Sequence, residues 1–325
     1  MNKPCRICGN SRDNRLHRAR EMMLGLRDEF DYLECAACGT VQIAEIPDLA
    51  RYYPNDYYSL GPTVETGLSP KLINRFAARF AADYFLRGRT FPGRYLVRKK
   101  DWLEKMFPAS LREPLLEIDY RSRLLDFGSG NGKLLHTLYY YGFRDLTGAD
   151  AFIENDIFYP NGVRILKRPL AELAPHYDLV MLHHSFEHLP DPRASLREIK
   201  RLLPRGRFCL IRIPLIGEAW RRYGVDWVQL DPPRHLYLYT ERAFRALAEE
   251  AGFETAKVVY DSTAFQFFAS EEYARDIAQS DELAFRGDCS KSIFSAEQIA
   301  AWQREAEQLN REARGDQACF YLRAP

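Results

Sequence analysis

The sequence predicts an α/β protein: a mostly parallel, Rossmann-like sheet with helices on its faces, preceded by a small cysteine-bearing module. Three observations predict it. The apolar runs "RLLDF", "DLTGAD", "VRILK", "YDLVMLH" and "RFCLIRI" recur between residues 123 and 213, with helical or loop material between them, as buried parallel strands do. The first run leads into "GSGNGKLL", a glycine loop that opens a helix, where sheets of this class receive nucleotide-like cofactors. Two Cys-x-x-Cys pairs stand ahead of all this, within the first 38 residues.

Length and composition agree with that division. A chain of 325 residues, 46% hydrophobic and 28% charged, accommodates one large domain and a satellite with an ordinary core. The formal net charge of +1 gives no global attraction to nucleic acid. No apolar run approaches the roughly 18 residues of a membrane span. The polar start "MNKPCRICGN" lacks the apolar stretch of a signal peptide, so the chain is expected in the cytoplasm.

From the amino end, the first elements are "CRICG", with Cys5 and Cys8, and "CAACG", with Cys35 and Cys38. A Cys-x-x-Cys turn aims two thiolates at one ion, and the glycine after it takes the tight backbone geometry that the turn needs. Two such knuckles predict a closed, structural zinc site, with "MMLGLRDEFDYLE" between them supplying strands that return the second knuckle to the first. A redox pair would be single and would open a helix in a βαβ unit. Cys209, Cys289 and Cys319 sit in apolar surroundings and read as packing residues.

Next comes a tyrosine-rich connector, "RYYPNDYYSLGPT", and then broken helical periodicity from Leu72 to Phe107. This stretch is cationic. Lys71, Arg75, Arg79, Arg87, Arg89, Arg94, Arg98, Lys99, Lys100 and Lys105 face only Asp83, Asp101 and Glu104, and aromatic residues are interleaved among them. The composition suits first a solvated helical face with its aromatics turned inward, and after that a membrane surface, a protein partner or an anionic acceptor through residues 71–105. The division expected is a zinc-binding module at 1–60, a basic helical connector or lid at 61–120, and the main domain at 121–325 with a helical insertion at 261–315.

Within the main domain the glycine order selects the cofactor. A dinucleotide site wants Gly-x-Gly-x-x-Gly, but here Gly128, Gly130 and Gly132 are followed by Lys133. Asp126, at the end of the preceding strand, would repel a pyrophosphate and attract a donor carrying an ammonium and a sulfonium. S-adenosylmethionine has both cations and no phosphate. Asp150, closing "GAD" on the next strand, can accept two ribose hydroxyls. Downstream, Asp191 and Pro192 start one helix, Thr240 caps another that ends at Gly252, and "FETAKVVY" and "QACFYLRAP" read as the last strands.

From about Arg121 to Gly252 the chain resembles the class I S-adenosylmethionine-dependent methyltransferases, through "LLDFGSGNG", "GAD" and "YDLVMLHHSFEHLPDPRASLREIKRLLPRGRFCLI". The resemblance implies a seven-stranded sheet whose last strand, "ACFYL", is antiparallel. It implies that Asp126 faces the methionine ammonium, that Gly128, Gly130, Asn131 and Gly132 line the cofactor, and that Asp150 with Ala151 borders the ribose. His183, at the end of the fourth strand, borders the methionine moiety. Where many relatives hold the adenine with an acid, this chain has Pro169 and Leu170, so backbone near Leu170 or the side chain of Glu172 takes that contact.

A hydroxyl acceptor must lose a proton, which makes the histidines candidates: His184 and His188, with Glu187 between them, and His235 in "LDPPRHLYLYT". The His235 segment resembles deoxysugar C-methyltransferases that join an amino-terminal zinc module to this fold. Asp231, His235 and Tyr237 to Tyr239 echo their pattern, whereas Arg234 replaces their glutamate. "YLECAACGTVQ" and "YPNDYYS" resemble the same relatives, which places Tyr57 and Tyr58 over cofactor or acceptor. "FQFFASEEY" and "GDQACFYL" resemble relatives of cell-surface polysaccharide and glycolipid synthesis. The resemblance thus implies methyl transfer to a sugar nucleotide or glycan, with His235 as the base. Other readings are a methyltransferase-like scaffold in a glycan-assembly complex, an O-methyltransferase of quinones or phenols, and a metal site at His184, Glu187 and His188.

Overall fold

The computed structural model describes residues 3–54, 71–88 and 91–325. Tyr57, Tyr58 and Arg89, singled out above, lie outside the described residues.

The amino-terminal strands are β1 (Arg15–Arg20), β2 (Glu29–Glu34) and β3 (Val41–Ile43). Strands β1 and β2 form an antiparallel hairpin with Arg15 opposite Glu34. Only the second half of "MMLGLRDEFDYLE" is strand. Its first half turns the chain, where Gly25 and Arg27 take left-handed φ of 75° and 58°. Helices α1 (Leu72–Arg87), α2 (Phe91–Lys99) and α3 (Asp101–Met106) follow. The main domain then runs β4 (Arg123–Phe127), α4 (Lys133–Tyr141), β5 (Asp145–Ala149), β6 (Ile157–Phe158), β7 (Arg164–Leu166) and β8 (Leu179–His183). It continues α5 (Pro192–Leu202), β9 (Phe208–Pro214), α6 (Glu218–Tyr223), β10 (Tyr237–Leu238) and α7 (Glu241–Glu250). Strand β11 (Glu254–Tyr260), helices α8 (Phe265–Ala274) and α9 (Ala296–Arg311), and strand β12 (Gln317–Arg323) complete it.

The large sheet has the order β11-β12-β9-β8-β4-β5-β7-β6. Strands β7, β5, β4, β8 and β9 are parallel, and β12 enters antiparallel between β9 and β11. These are the seven expected strands in a mostly parallel α/β sheet. An eighth, β6, extends the edge because a turn through Asn161 and Gly162, closed by Tyr159 N–H on Val163 O at 2.9 Å, folds it back on β7. Alternation along each buried strand divides the core. Leu124, Leu179, Met181 and Leu210 face the side covered by α1, α3 and α4. Leu125, Val180, Leu182 and Ile211 face the side of α5 and α7. Both predicted caps form: Asp191 Oδ1 accepts Ala194 N–H at 2.9 Å, and Thr240 Oγ1 accepts Ala243 N–H at 3.1 Å.

The small sheet, ordered β1-β2-β3-β10, borrows its last strand from the main domain. Tyr237 pairs with Gln42 and Leu238 with Val41. The Thr240 hydroxyl that caps α7 also donates to Cys38 O at 2.9 Å, and the Arg193 guanidinium donates to Arg6 O at 2.8 Å and to Ile7 O. The cysteine module is thereby held to the sheet that follows it.

Candidate active site and metal centre

In the amino-terminal module, Cys5 Sγ lies 3.7 Å from Cys38 Sγ and Cys8 Sγ lies 3.4 Å from Cys35 Sγ. All four sulfurs fall within 4.8 Å of one another. Tetrahedral bonds of about 2.3 Å to zinc put sulfurs about 3.8 Å apart, so the cluster fits that ion. The knuckles are built alike. Gly9 N–H closes on Cys5 O at 2.8 Å and Gly39 N–H on Cys35 O at 2.9 Å, with φ of 76° and 74°. At these angles a glycine is the residue without strain. Backbone N–H groups of Ile7 and Cys38 approach the Cys5 and Cys35 sulfurs at 3.4 and 3.5 Å, as stabilised thiolates require.

The expected cofactor position is beyond the carboxyl ends of β4 and β8, adjacent strands from which the sheet is built outward in opposite directions. Gly128, Gly130 and Gly132 carry the chain from β4 into α4 with φ of 77°, 53° and 86°. A Cβ at Gly128 would stand 2.3 Å from Ser185 Cβ, and one at Gly132 would stand 2.7 Å from Ile165 Cδ1. Asp126, at the strand end, is buried. Burial, reinforced by the Asp150 carboxylate, pushes its pKa up to about 7. A buried carboxylate raised in this way lacks a cation, and the ammonium of an S-adenosyl donor is one. Asp150 fixes the loop, accepting Gly130 N–H at 2.9 Å on one oxygen and Phe152 N–H at 2.8 Å on the other. Each oxygen keeps a lone pair for a ribose hydroxyl.

The other predicted cofactor residues sit in different environments. Asn131 is buried, and its carbonyl accepts the Tyr159 hydroxyl at 2.8 Å. Ala151 is exposed beside Asp150. His183 ends β8, and burial pushes its ring down to about 3, so it is neutral at physiological pH. Leu170 is buried and opens a short turn whose carbonyls bind the Arg201 guanidinium, while Glu172 is exposed.

Three of the four acid–base candidates, His184, His188 and His235, line a cavity of about 250 Å³ together with Asp231, Gln229 and Phe265, among others. Glu187 sits beneath it, fully buried, with both carboxylate oxygens lacking a hydrogen bond. Burial opposes its ionisation, yet His184, His188 and His235 hold it below the usual carboxylate range. Arg212 Nη1 donates to His184 Nε2 at 2.6 Å, which leaves the ring proton on Nδ1, facing Glu187 Oε1 at 3.5 Å. His188 places Nδ1 2.8 Å from Arg234 O and Nε2 3.2 Å from His184 O, so both nitrogens meet acceptors. His235 donates Nδ1–H to Gln229 O at 2.6 Å. Its Nε2 keeps a lone pair, 3.8 Å from Glu187 Oε1 and 3.8 Å from Asp231 Oδ2. Burial pushes this ring down to about 4 although Asp231 and Glu187 oppose the shift.

For the metal alternative, the ligand atoms that approach within 4.8 Å belong to Glu187, His188 and His235 rather than to a His184 set. Because both His188 nitrogens point at carbonyls, this group offers a cation fewer free lone pairs than its count suggests.

The sequence reading noted Arg234 only as the replacement for a glutamate and missed Glu21, Tyr32, Tyr53 and Arg212. Arg234 is fully buried; Nε donates to Asp231 Oδ2 at 2.9 Å and Nη2 to Glu21 Oε1 at 2.9 Å, with a further short bond to Asp231 Oδ1. Glu21 comes from the amino-terminal module, as does Tyr32, whose hydroxyl donates to His235 O at 2.9 Å. Tyr53 stacks on Phe152 at 4.3 Å and brings its hydroxyl to 3.2 Å from His188 Nδ1, joining the cofactor and acid–base ends. Arg212 offered a signal, a charge inside the apolar run "LIRIP"; it also holds Asp261 Oδ2 at 2.6 Å.

Comparison with known proteins gives one family match: the description "Methyltransferase domain" fits residues 97–258. No curated protein matches significantly. Among solved structures, a chain of the complex between the Haloferax volcanii Trm112 methyltransferase activator and a methyltransferase is 17% identical, covering 77% of this chain and 97% of that one, with a TM-score of 0.44. A SAM-dependent methyltransferase from Thermotoga maritima is 16% identical over 76% of this chain and 100% of its own, TM-score 0.42. The cyclopropane synthase MmaA2 from Mycobacterium tuberculosis is 16% identical over 78% and 98%, TM-score 0.42.

Proposed function

The chain carries a class I S-adenosylmethionine-dependent methyltransferase domain, and from that premise we propose that it methylates a hydroxyl of a sugar-containing acceptor, with His235 receiving the proton. The donor supplies an electrophilic methyl group; what this chain does is bind, align and deprotonate. Asp126 and the Gly128–Gly132 loop would hold the donor's methionine end, and Asp150 the ribose. Leu170 and His183 are proposed for the adenine and methionine flanks. In-line displacement demands alignment of the two reactants more than new bonds to protein.

The observation that carries the base assignment is the orientation of His235. Gln229 O fixes its Nδ1–H, and Nε2 opens toward the cavity between two carboxylates that would stabilise the imidazolium formed. His184 and His188 are spent on Arg212 and on backbone carbonyls, which suits a positioning role, and Glu187 supplies the counter-charge. The cavity wall supports a neutral polyol. Gln229, Gln279 and Gln317 offer amide groups and Phe265 an apolar face. The nearby guanidinium groups of Arg212 and Arg234 are already ion-paired with Asp261 and Asp231. Zinc at Cys5, Cys8, Cys35 and Cys38, closed by four protein ligands, would fold the module and take no part in transfer.

The test is methyl transfer from labelled S-adenosylmethionine into a panel of nucleotide sugars and glycolipids, read by mass spectrometry as a one-methyl increment. His235→Ala should lower kcat by roughly 10²- to 10⁴-fold with donor affinity unchanged. Transfer only to quinone or phenol acceptors would overturn the sugar reading, and full activity in His235→Ala would overturn the base.

A further inference from the structure

Helix α1 is inverted in composition. Its buried face carries Ala77, Ala78, Ala81 and Ala82 with Phe85, and its opposite face carries Leu72, Ile73, Phe76 and Phe80. The small side chains let α1 lie close on the core, while Ile73 is 71% and Phe76 64% exposed. A helix that only packed on its own domain would place these residues the other way round. Helix α2 adds Phe91, 81% exposed, and Tyr95 one turn later. Of the thirteen large hydrophobic side chains exposed among the described residues, these two helices hold six.

The charges around this apolar face have one sign. Lys71, Arg75, Arg79, Arg87, Arg94, Arg98 and Lys99 accompany it, and the one acid between residues 71 and 99 is Asp83, 3.9 Å from Arg87. Arg94, Arg98 and Lys99 have no ion pair or hydrogen bond among the described residues, whereas Arg75 and Arg79 lie over the rings of Tyr139 and Tyr120.

We propose that the α1–α2 face docks this protein on an anionic lipid surface. Phe76, Phe80 and Phe91 would enter the headgroup boundary while Arg94, Arg98 and Lys99 neutralise lipid charge, the arrangement by which amphipathic helices lie in an interface. Charge selects this occupant over the others. A second copy of the chain, paired through the same face, would set these cations against themselves. A nucleic acid would find rings to stack on in Phe76, Phe91 and Tyr95 but would leave the aliphatic Leu72 and Ile73 facing water, whereas a lipid surface takes up both kinds of side chain. The inference is independent of the acceptor, since it needs neither His235 nor the cofactor crevice.

The experiment is co-sedimentation of the full chain with vesicles of mixed phosphatidylglycerol and phosphatidylcholine, against vesicles of phosphatidylcholine alone. Binding is expected to the first and not the second. It should weaken as salt rises from about 0.1 M to about 1 M, which shortens the screening length from about 10 Å to about 3 Å. R94Q/R98Q should lower the partition coefficient roughly 30-fold, about fivefold for each cation removed, and F76S/F91S should abolish binding. Both pairs are exposed, and unchanged binding of S-adenosylmethionine will verify their fold. Failure to sediment with the anionic vesicles, or equal binding by the variants, overturns the proposal. So does a dimer in analytical ultracentrifugation that F76S/F91S converts to monomer without any lipid binding, since that would give the face to a second copy.

Discussion

The carboxylate of Asp126 makes cofactor binding depend on pH in a direction that can be worked out in advance. Its pKa stands near 7 in the free protein because the group is buried and Asp150 lies close by. A cationic donor requires the ionised form, so a bound proton must leave as the donor arrives. The apparent dissociation constant then scales as 1 + 10^(7 − pH): affinity is weakest in acid and should fall about 50-fold from pH 7 to pH 5. The same group opposes folding of the free protein as pH rises. A carboxyl moved from 3.8 to about 7 costs nothing below the lower value and about 4 kcal/mol above the upper. Donor binding should relieve part of that cost. Isothermal titration calorimetry with S-adenosylmethionine, in buffers of different ionisation enthalpy, reads both the affinity and the protons released. Near pH 6 the release should approach one. Asp126→Asn should bind weakly and with no proton linkage. A wild-type affinity that stays flat from pH 5 to pH 7, with no proton released, would refute the assignment of Asp126 to the donor's ammonium.

Three further outcomes follow from the geometry. Gly128→Ala should lose donor binding and some stability, because its Cβ would stand 2.3 Å from Ser185 Cβ in a left-handed backbone; calorimetry and thermal melting check both. Arg234→Ala strands the buried Glu21 and Asp231 carboxylates, so urea unfolding should show a loss of about 3–5 kcal/mol, largest where both acids are ionised. Removal of metal with a chelator, or Cys38→Ser, should unfold the β3–β10 pairing and lower kcat more than donor affinity; metal analysis with parallel kinetics measures the split.

The parts legible in the sequence were those written in local chemistry. The loop from Gly128 to Gly132, the acids at two strand ends and the caps at Asp191 and Thr240 each signal themselves within a few residues. Cysteine spacing marked the sulfur cluster for the same reason. What escaped depends on distant pairing. Strand β10 has two residues, too few for any periodicity, and exists because β3 is there to pair with it. Arg234 looked like a departure from a catalytic pattern until Glu21, more than two hundred residues away, supplied its partner. Nothing local marked Tyr53 as the tyrosine that reaches His188.

The position of β12 bears on how a ribosome delivers this molecule. Residues 317–323 emerge after every other strand, yet they occupy an interior place between β9 and β11. Until they arrive, the two flanking strands must wait with unsatisfied amide and carbonyl rows, the state in which nascent chains are most prone to stick to one another. Biosynthesis thus keeps the sheet open until β12 is made, and shielding of those rows by chaperones is to be expected during that interval.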